Sequence, residues 1–469
     1  MKRAALCTLL ISLLSGISTN AQPNPPSSSE FVFAPRVLSG AVLERPSSLQ
    51  FGPDGRLYVA STSGDIDILT IEHVEVGDYF RVVEQEKVTL IRDILNHDDT
   101  GIPNPHPQRQ VTGLLVIGTT EQPVIYVTSS DYRNSWNPEV GVDENWETDS
   151  NSGVISRLTW NGTAWERVDV VRGLPRSPSD HATNGLALSD DGILYVAQGG
   201  NTNMGAPTDN ADTTPEYALS AAILRVDLNQ IISPPYDIPT LDDPDRPGNP
   251  DENDPFGGNG GLNQAVLIPG SPVDIYAPGF RNPYDIIITS HGQMFATNNG
   301  ANSGWGVYPD DCTNAAIAAV LPSDPGSLHR VTPGYYAGHP NPTRGSAAEF
   351  AGQRAVEQPN PIECTYIPPA ETEAEAIFSG SFNGIVEYTA STFGGRLRGD
   401  LLSVGFYGDV MRFDLDSEGI HVLSTEIIAS QLGAYPVDMT AQGDDGAFPG
   451  TLWIGLLGEN RIIVLVPVS

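Results

Sequence analysis

Two short segments about 100 residues apart carry the side chains most able to do chemistry, His181-Ala182-Thr183-Asn184-Gly185 and Gly279-Phe280-Arg281-Asn282-Pro283-Tyr284. Histidine is the side chain whose ordinary pKa suits general-base work near neutral pH, and His181 follows Asp180 directly. Arg281 offers a planar fork of donors suited to carboxylates, quinone oxygens or sugar hydroxyls. Gln110, just before Thr112-Gly113-Leu114-Leu115, holds the corresponding place earlier in the chain. Each also has a purely structural reading. A histidine at a turn can be solvated or capped, an arginine can bind carbonyls at a junction, and an isolated glutamine means little.

Each segment runs straight into a strand–turn–strand unit, and that unit recurs. The instances are SSLQFGPDGRLYVASTSG from Ser47, TGLLVIGTTEQPVIYVTSS from Thr112, NGLALSDDGILYVAQGG from Asn184 and YDIIITSHGQMFATNNG from Tyr284. FNGIVEYTASTFGGRLRGDLLSVG from Phe382 and VDMTAQGDDGAFPGTLWIGLLG from Val437 complete the set. Turns such as Asp54-Gly55, Asp191-Gly192 and His291-Gly292 suit tight hairpins, because Gly and Asp tolerate positive φ. A single strand follows each hairpin: GDIDILTIE, GVISRLTW, AAILRVDL, LHRVTPG, GDVMRFDLD and NRIIVLVP. The recurrence predicts an all-β chain, a six-bladed β-propeller. Inner-strand starts then face one central channel, where His181, Arg281, Asn282 and Gln110 are expected to converge. Phe31 to Pro46 is strand-like and would cover the otherwise open edge of the last blade.

The expected organisation is a signal peptide over 1–21, a Pro/Ser-rich linker over 22–30 and the propeller over 31–469. Met1-Lys2-Arg3, the apolar run AALCTLLISLL and Thr19-Asn20-Ala21 make up the signal, which is too short for a membrane span. Loss of Lys2 and Arg3 takes the net charge from −34 to −36. Such a chain repels nucleic acid and anionic membranes. Cys312 and Cys364 remain after cleavage, and an even pair in an exported protein, secreted or periplasmic, reads as one disulfide. Insertions at about 232–270 and 310–366 interrupt the repeat and are expected to wall the site. Asp242, Asp243, Asp245, Asp251, Glu252 and Asp254 crowd the first of them, as a calcium loop or an ordinary solvated acidic stretch would.

The ordered set of Gln110 before GLL, His181 before its hairpin, GFRNPYDI, ANSGWG and GYYAGHPNP is similar to the soluble glucose/sorbosone dehydrogenase family. The resemblance spans most of the mature chain and is thinnest after about Phe382. It implies a six-bladed propeller that oxidises sugars with pyrroloquinoline quinone (PQQ) and calcium. It also implies His181 as catalytic base, Arg281 over cofactor and substrate with Asn282 beside it, and Gln110 on the cofactor side. Asn299-Gly300-Ala301 falls where the family holds the cofactor's calcium. Three departures stand out. Gly199-Gly200-Asn201 replaces an expected Asp, the cofactor lysine falls near Phe406-Tyr407, and two arginines fall near Tyr435 and Val437. Arg344, Arg354, Arg396 and Arg398 are the candidates to restore those cations.

Three functions follow as expectations. The first is an exported quinoprotein-type dehydrogenase passing hydride from a sugar or related alcohol to PQQ, and on to an electron acceptor the sequence does not identify. The second is a non-catalytic carbohydrate- or protein-binding propeller that has lost the cofactor site. The third is a calcium-dependent lactonase-like hydrolase, for which no Glu/Asn/Asp cage can be assembled from the inner-strand starts.

Overall fold

The computed structural model describes residues 30–97, 103–104, 106–133, 148–209, 213–241, 264–349 and 359–468. The calcium-loop carboxylates, Arg354, the signal segment and all of the linker but Glu30 therefore lie outside the described residues. The all-β expectation holds, with 44% strand against 6% helix.

Every hairpin read from the sequence is formed, and each continues into the single strand expected after it. In the first five groups a fourth strand, which the repeat did not reveal, completes the set. The first group is Pro46–Phe51, Leu57–Ser61, Ile66–Val74 and Tyr79–Val88, each antiparallel to the next. The second is Arg109–Gly118, Pro123–Asp131, Gly153–Trp160 and Trp165–Leu174. The third is Thr183–Leu188, Ile193–Gln198, Ala222–Asp227 and Val273–Pro278. The fourth is Pro283–Ile288, Met294–Asn298, Gly326–Val331 and Ala376–Phe378. The fifth is Phe382–Glu387, Leu401–Gly405, Val410–Leu415 and Val422–Ala429. The last group has Pro436–Ala441, Leu452–Leu456 and Arg461–Pro467, and Phe33–Ser39 lies antiparallel on its outer strand, Phe33 opposite Pro467.

The first strand of each group packs against that of the next, and the last packs against the first. Glycine makes this approach possible. A Cβ on Gly113 would stand 2.1 Å from the carbonyl oxygen of Asn184, and one on Gly185 would stand 2.2 Å from Asp285 Oδ1. Side chains then fasten neighbouring groups. Thr112 Oγ1 donates to the Thr183 carbonyl at 2.8 Å, and Asn184 Nδ2 to the Pro283 carbonyl at 2.8 Å. Asp438 Oδ2 accepts from Leu49 N and Ser48 Oγ, both at 2.8 Å. Tyr284 reaches from the fourth group to the first, its hydroxyl donating to the Ser47 carbonyl at 2.8 Å. Apolar residues fill the spaces between groups, as where Leu186, Leu194 and Val196 meet Tyr126 and Ile155. This frame holds every inner-strand start in one register, and those starts carry the site.

Candidate functional site

His181 stands two residues before Thr183–Leu188 and is buried, 5% exposed. Its Nδ1 lies 2.7 Å from the Gly200 carbonyl oxygen. A carbonyl only accepts, so Nδ1 carries the proton and Nε2 presents its lone pair. Gly199 permits the approach, since a Cβ there would stand 2.7 Å from the His181 Cβ. The Gly199-Gly200 pair, which stands where the resemblance implies an Asp, thus orients the imidazole without adding charge to it. Burial is the main reason its pKa is held down to about 4; Asp180 opposes the shift and Arg281 adds to it. At neutral pH the ring is an uncharged acceptor.

Arg281 precedes Pro283–Ile288 and is also buried. Its Nε donates to the Asn203 carbonyl at 3.1 Å and its Nη2 to Asn203 Oδ1 at 2.9 Å. The loop carrying Asn203 is pinned by Glu216. That buried carboxylate accepts from Asn201 N at 3.0 Å, Thr202 N at 2.8 Å, Thr202 Oγ1 at 2.6 Å and Ser220 Oγ at 2.5 Å. His339 Nε2 lies 2.9 Å from it. Burial alone would raise the carboxyl pKa, but the bonds from His339, Ser220 and Thr202 outweigh it and bring it down to about 2. Gly200 joins the two halves, because its N–H donates to the Arg281 carbonyl at 2.8 Å while its own carbonyl receives His181.

His181 and Arg281 therefore line one narrow recess, of about 10 Å³ and so with room for about one water, together with Ser177, Ser179, Asp180 and Trp305. Hydroxyls, the Asn201 and Asn203 amides, the Asp180 carboxylate, the Arg281 guanidinium and Trp305 around a neutral base suit the hydroxyls of a small polyol better than an apolar ligand. A second recess, of about 20 Å³, lies against Arg281 and takes in Asn203, Asn298, Asp324, His339 and Tyr366. Asp324, His339 and Tyr366 belong to the 310–366 insertion, where Cys312 and Cys364 form a disulfide with Cα atoms 4.9 Å apart.

The other expected residues are drawn in less directly. Gln110 Oε1 accepts from Arg176 Nη2 at 2.9 Å, and Arg176 Nη1 donates to the His181 carbonyl at 3.0 Å. Gln110 is thus linked to His181 through a fully buried arginine. Asn282 Oδ1 accepts from Asn184 Nδ2 at 3.2 Å, and its N–H donates to Asn298 Oδ1 at 3.1 Å. Asn203, Glu216, His339 and Arg176 were not singled out by sequence. They come from loops outside the repeat, where no periodicity marks them.

The residues present do not fit a tricarboxylated quinone. Arg281 is bound by Asn203, Arg176 by carbonyls and Gln110, and Arg133 by Asp131. Arg344 does not restore a cation, because it is buried against Glu363 with Nη1 donating to the Ala218 and Ser220 carbonyls. Arg396 and Arg398 lie in the turn between the first two strands of the fifth group, at the opposite end of those strands from the His181 level. Arg396 sits over the Phe31 ring and Arg398 pairs with Asp444. At the expected lysine and arginine positions Phe406 stacks on Tyr435, ring centroids 4.7 Å apart. The calcium residues are similarly committed. Asn299 Oδ1 accepts from Ser381 Oγ at 2.8 Å, Asn299 Nδ2 donates to Asn383 Oδ1 at 2.9 Å, and the Ala301 carbonyl accepts from Asp324 N at 3.0 Å. A Cβ on Gly300 would stand 2.3 Å from the Pro325 carbonyl. The trio forms a structural corner rather than an open set of oxygen ligands.

No family model and no curated protein matches the chain. Solved structures do. The PQQ-bound aldose sugar dehydrogenase of Streptomyces coelicolor superposes with TM-score 0.50 at 16% identity, over 95% of this chain and 100% of that one. The holo PQQ domain of pyranose dehydrogenase from Coprinopsis cinerea gives 0.50 at 12%, over 94% and 99%. A glucose dehydrogenase gives 0.51 at 14%, over 93% and 100%. At such identities the likeness carries the fold and nothing finer. The chain has the propeller-like fold of PQQ-dependent sugar dehydrogenases.

Proposed function

We propose that this chain is an exported six-bladed propeller that binds a sugar or related polyol at the His181–Arg281 cavity. The observation that carries the reading is the neutral, acceptor-facing imidazole of His181 in a small recess lined by hydroxyls, the Asn201 and Asn203 amides, Asp180, Arg281 and Trp305. A polyol hydroxyl donates to Nε2, while Ser177, Ser179 and Asn201 meet the remaining hydroxyls. The closed series of inner-strand contacts supports six blades, and the pairing of Phe33–Ser39 with Arg461–Pro467 supports closure by the N-terminal strand. The disulfide and the N-terminal sequence support export to a secreted or periplasmic location.

The committed arginines and the aromatic residues at the expected cation positions favour recognition without the quinone. The overall likeness and the retained base favour a second reading, oxidation of the bound hydroxyl by hydride transfer to PQQ with His181 taking the proton. One pair of measurements separates them. Calorimetry with glucose, xylose and sorbitol on purified protein and on His181→Ala tests the cavity; dye-linked oxidation after adding PQQ and calcium tests turnover. Binding that His181→Ala weakens, without turnover, is the expected result. Turnover dependent on added PQQ would establish the second reading instead, and no binding of any polyol would remove both.

A further inference from the structure

The fifth and last groups present an aromatic cluster that the cavity does not use. Leu401–Gly405 ends directly before Phe406 and Tyr407, and Tyr435 stands directly before Pro436–Ala441. His181, Arg281 and Asn299 stand at the same places relative to their own strands, so all lie at one level of the fold. The connection is also physical. Asn299 N donates to the Asn282 carbonyl at 3.1 Å, Ser381 Oγ to Asn299 Oδ1 at 2.8 Å, and Phe406 N to the Ser381 carbonyl at 2.8 Å. The aromatic cluster thus begins where the polar residues of the site end.

The cluster is costly in a way that folding does not explain. Tyr435 is 49% exposed and has φ +56°, a left-handed conformation that a bulky residue adopts only under strain and glycine adopts freely. Tyr407 is 78% exposed, its ring beside Gly380, whose absent Cβ would stand 3.6 Å away. Exposed aromatic faces and a strained backbone together mark ligand contact more than packing. Around the rings the neighbours are polar. Ser381 and Asn299 lie on one side, and Glu459, which accepts from Ala434 N at 2.7 Å, lies on the other. Aromatic faces fringed by hydrogen-bonding groups match a pyranose ring, whose C–H face is apolar and whose edge is hydroxylated. A lipid or protein surface would call for a broader apolar area.

We propose that Phe406, Tyr407 and Tyr435 form a stacking platform for the second ring of a saccharide whose first ring rests at the mouth of the His181 recess and sets one hydroxyl into it. This rests on the polyol reading above and deepens it, naming an oligosaccharide rather than a free monosaccharide as the preferred ligand. The carboxylate-binding half of a quinone site has become a sugar subsite.

Calorimetry with glucose, maltose and cellobiose tests it on the full-length mature protein, Tyr407→Ser and Tyr435→Gly. At least one disaccharide is expected to bind roughly tenfold more tightly than glucose, and either substitution should bring that ratio close to one. Tyr435→Gly relieves the backbone strain, so its melting temperature should hold or rise while the ratio falls, which a merely structural tyrosine would not show. If glucose binds and neither disaccharide gains, or the ratio survives both substitutions, the platform is overturned and the cavity reading stands. If no sugar binds at all, both fall.

Discussion

His329 offers a sharp test of how burial governs this fold, because its environment can be changed by one side chain and read against pH. It lies on Gly326–Val331, fully buried, with Nε2 2.8 Å from Ser327 Oγ and Nδ1 2.7 Å from the Tyr335 hydroxyl. Its ring meets that of Phe280, the residue before Arg281, at 5.3 Å. Burial holds the imidazole pKa down to about 3, from an ordinary 6.5. The folded state therefore keeps the ring neutral, while the unfolded chain takes up a proton as pH falls through 6.5. The contribution is fully present above that value and is lost below it, at about 1.4 kcal/mol per pH unit, or about 3 kcal/mol by pH 4.5. His329→Gln retains polar ends for Ser327 and Tyr335 but loses packing on Phe280, costing about 1 kcal/mol at neutral pH. The variant should then be the less stable form at about pH 7.5 and the more stable by about 2 kcal/mol at pH 4.5, with the order reversing near pH 6. Urea unfolding curves across that range measure the gap directly. Other titrating groups shift both proteins alike and cancel in the difference. A gap that stays constant with pH would mean that His329 is protonated or hydrated in the folded protein, and the burial argument would be wrong.

The same reasoning sets the pH response of the site. With the His181 pKa near 4, sugar affinity by calorimetry should be flat from about pH 8 to 5.5 and weaken only below about 4.5; a break near 6.5 would show an exposed imidazole. Glu216→Gln should destabilise the fold by about 3 kcal/mol, since it leaves His339 beside a neutral amide, and should weaken sugar binding through Asn203 and Arg281. Chemical unfolding and titration of the same variant check both effects, and full affinity would separate the Glu216 loop from the cavity. Cys364→Ser opens a bridge between residues 52 apart and should cost about 4 kcal/mol in urea unfolding, with reductant producing the same loss in the wild type.

The repeat made the scaffold legible because hairpins leave a local signature. Asp54-Gly55, Asp191-Gly192 and His291-Gly292 are turns whose glycines have φ of +75°, +84° and +74°. The fourth strands of the first five groups were not legible; that of the last was, as the strand-like stretch from Phe31. Val422–Ala429 is an edge strand and largely exposed, and Trp165–Leu174 is largely buried and flanked by Tyr236–Asp237; neither carries clear alternation. His181 and Arg281 could be singled out because they stand before inner strands, and the cavity does contain both. Their partners could not. Glu216 is one of 58 acidic residues, and only three-dimensional closure sets it beside Thr202 and His339. The aromatic positions were read from sequence as a loss of cations; their exposure and the strain at Tyr435 are features only the fold displays.

Charge gives these observations a common direction. A chain with net charge −34 surrounds its channel with a field that opposes any anion. A tricarboxylated ligand needs several local guanidinium or ammonium groups with donors to spare; here Arg176 and Arg133 are committed to Gln110 and carbonyls and to Asp131, and Arg281, which gives two of its five N–H donors to Asn203, is a single cation against three carboxylates. Arg344 neutralises Glu363, and Arg398 neutralises Asp444. The recess offers instead a neutral imidazole, hydroxyls, an indole and one carboxylate beside the single Arg281 cation, with tyrosine faces at the same level of the fold. Repulsion costs a neutral polyol nothing, whereas it works against a trianion at every step of entry. The field, the committed arginines and the aromatic substitutions thus all select a neutral, hydroxyl-rich ligand.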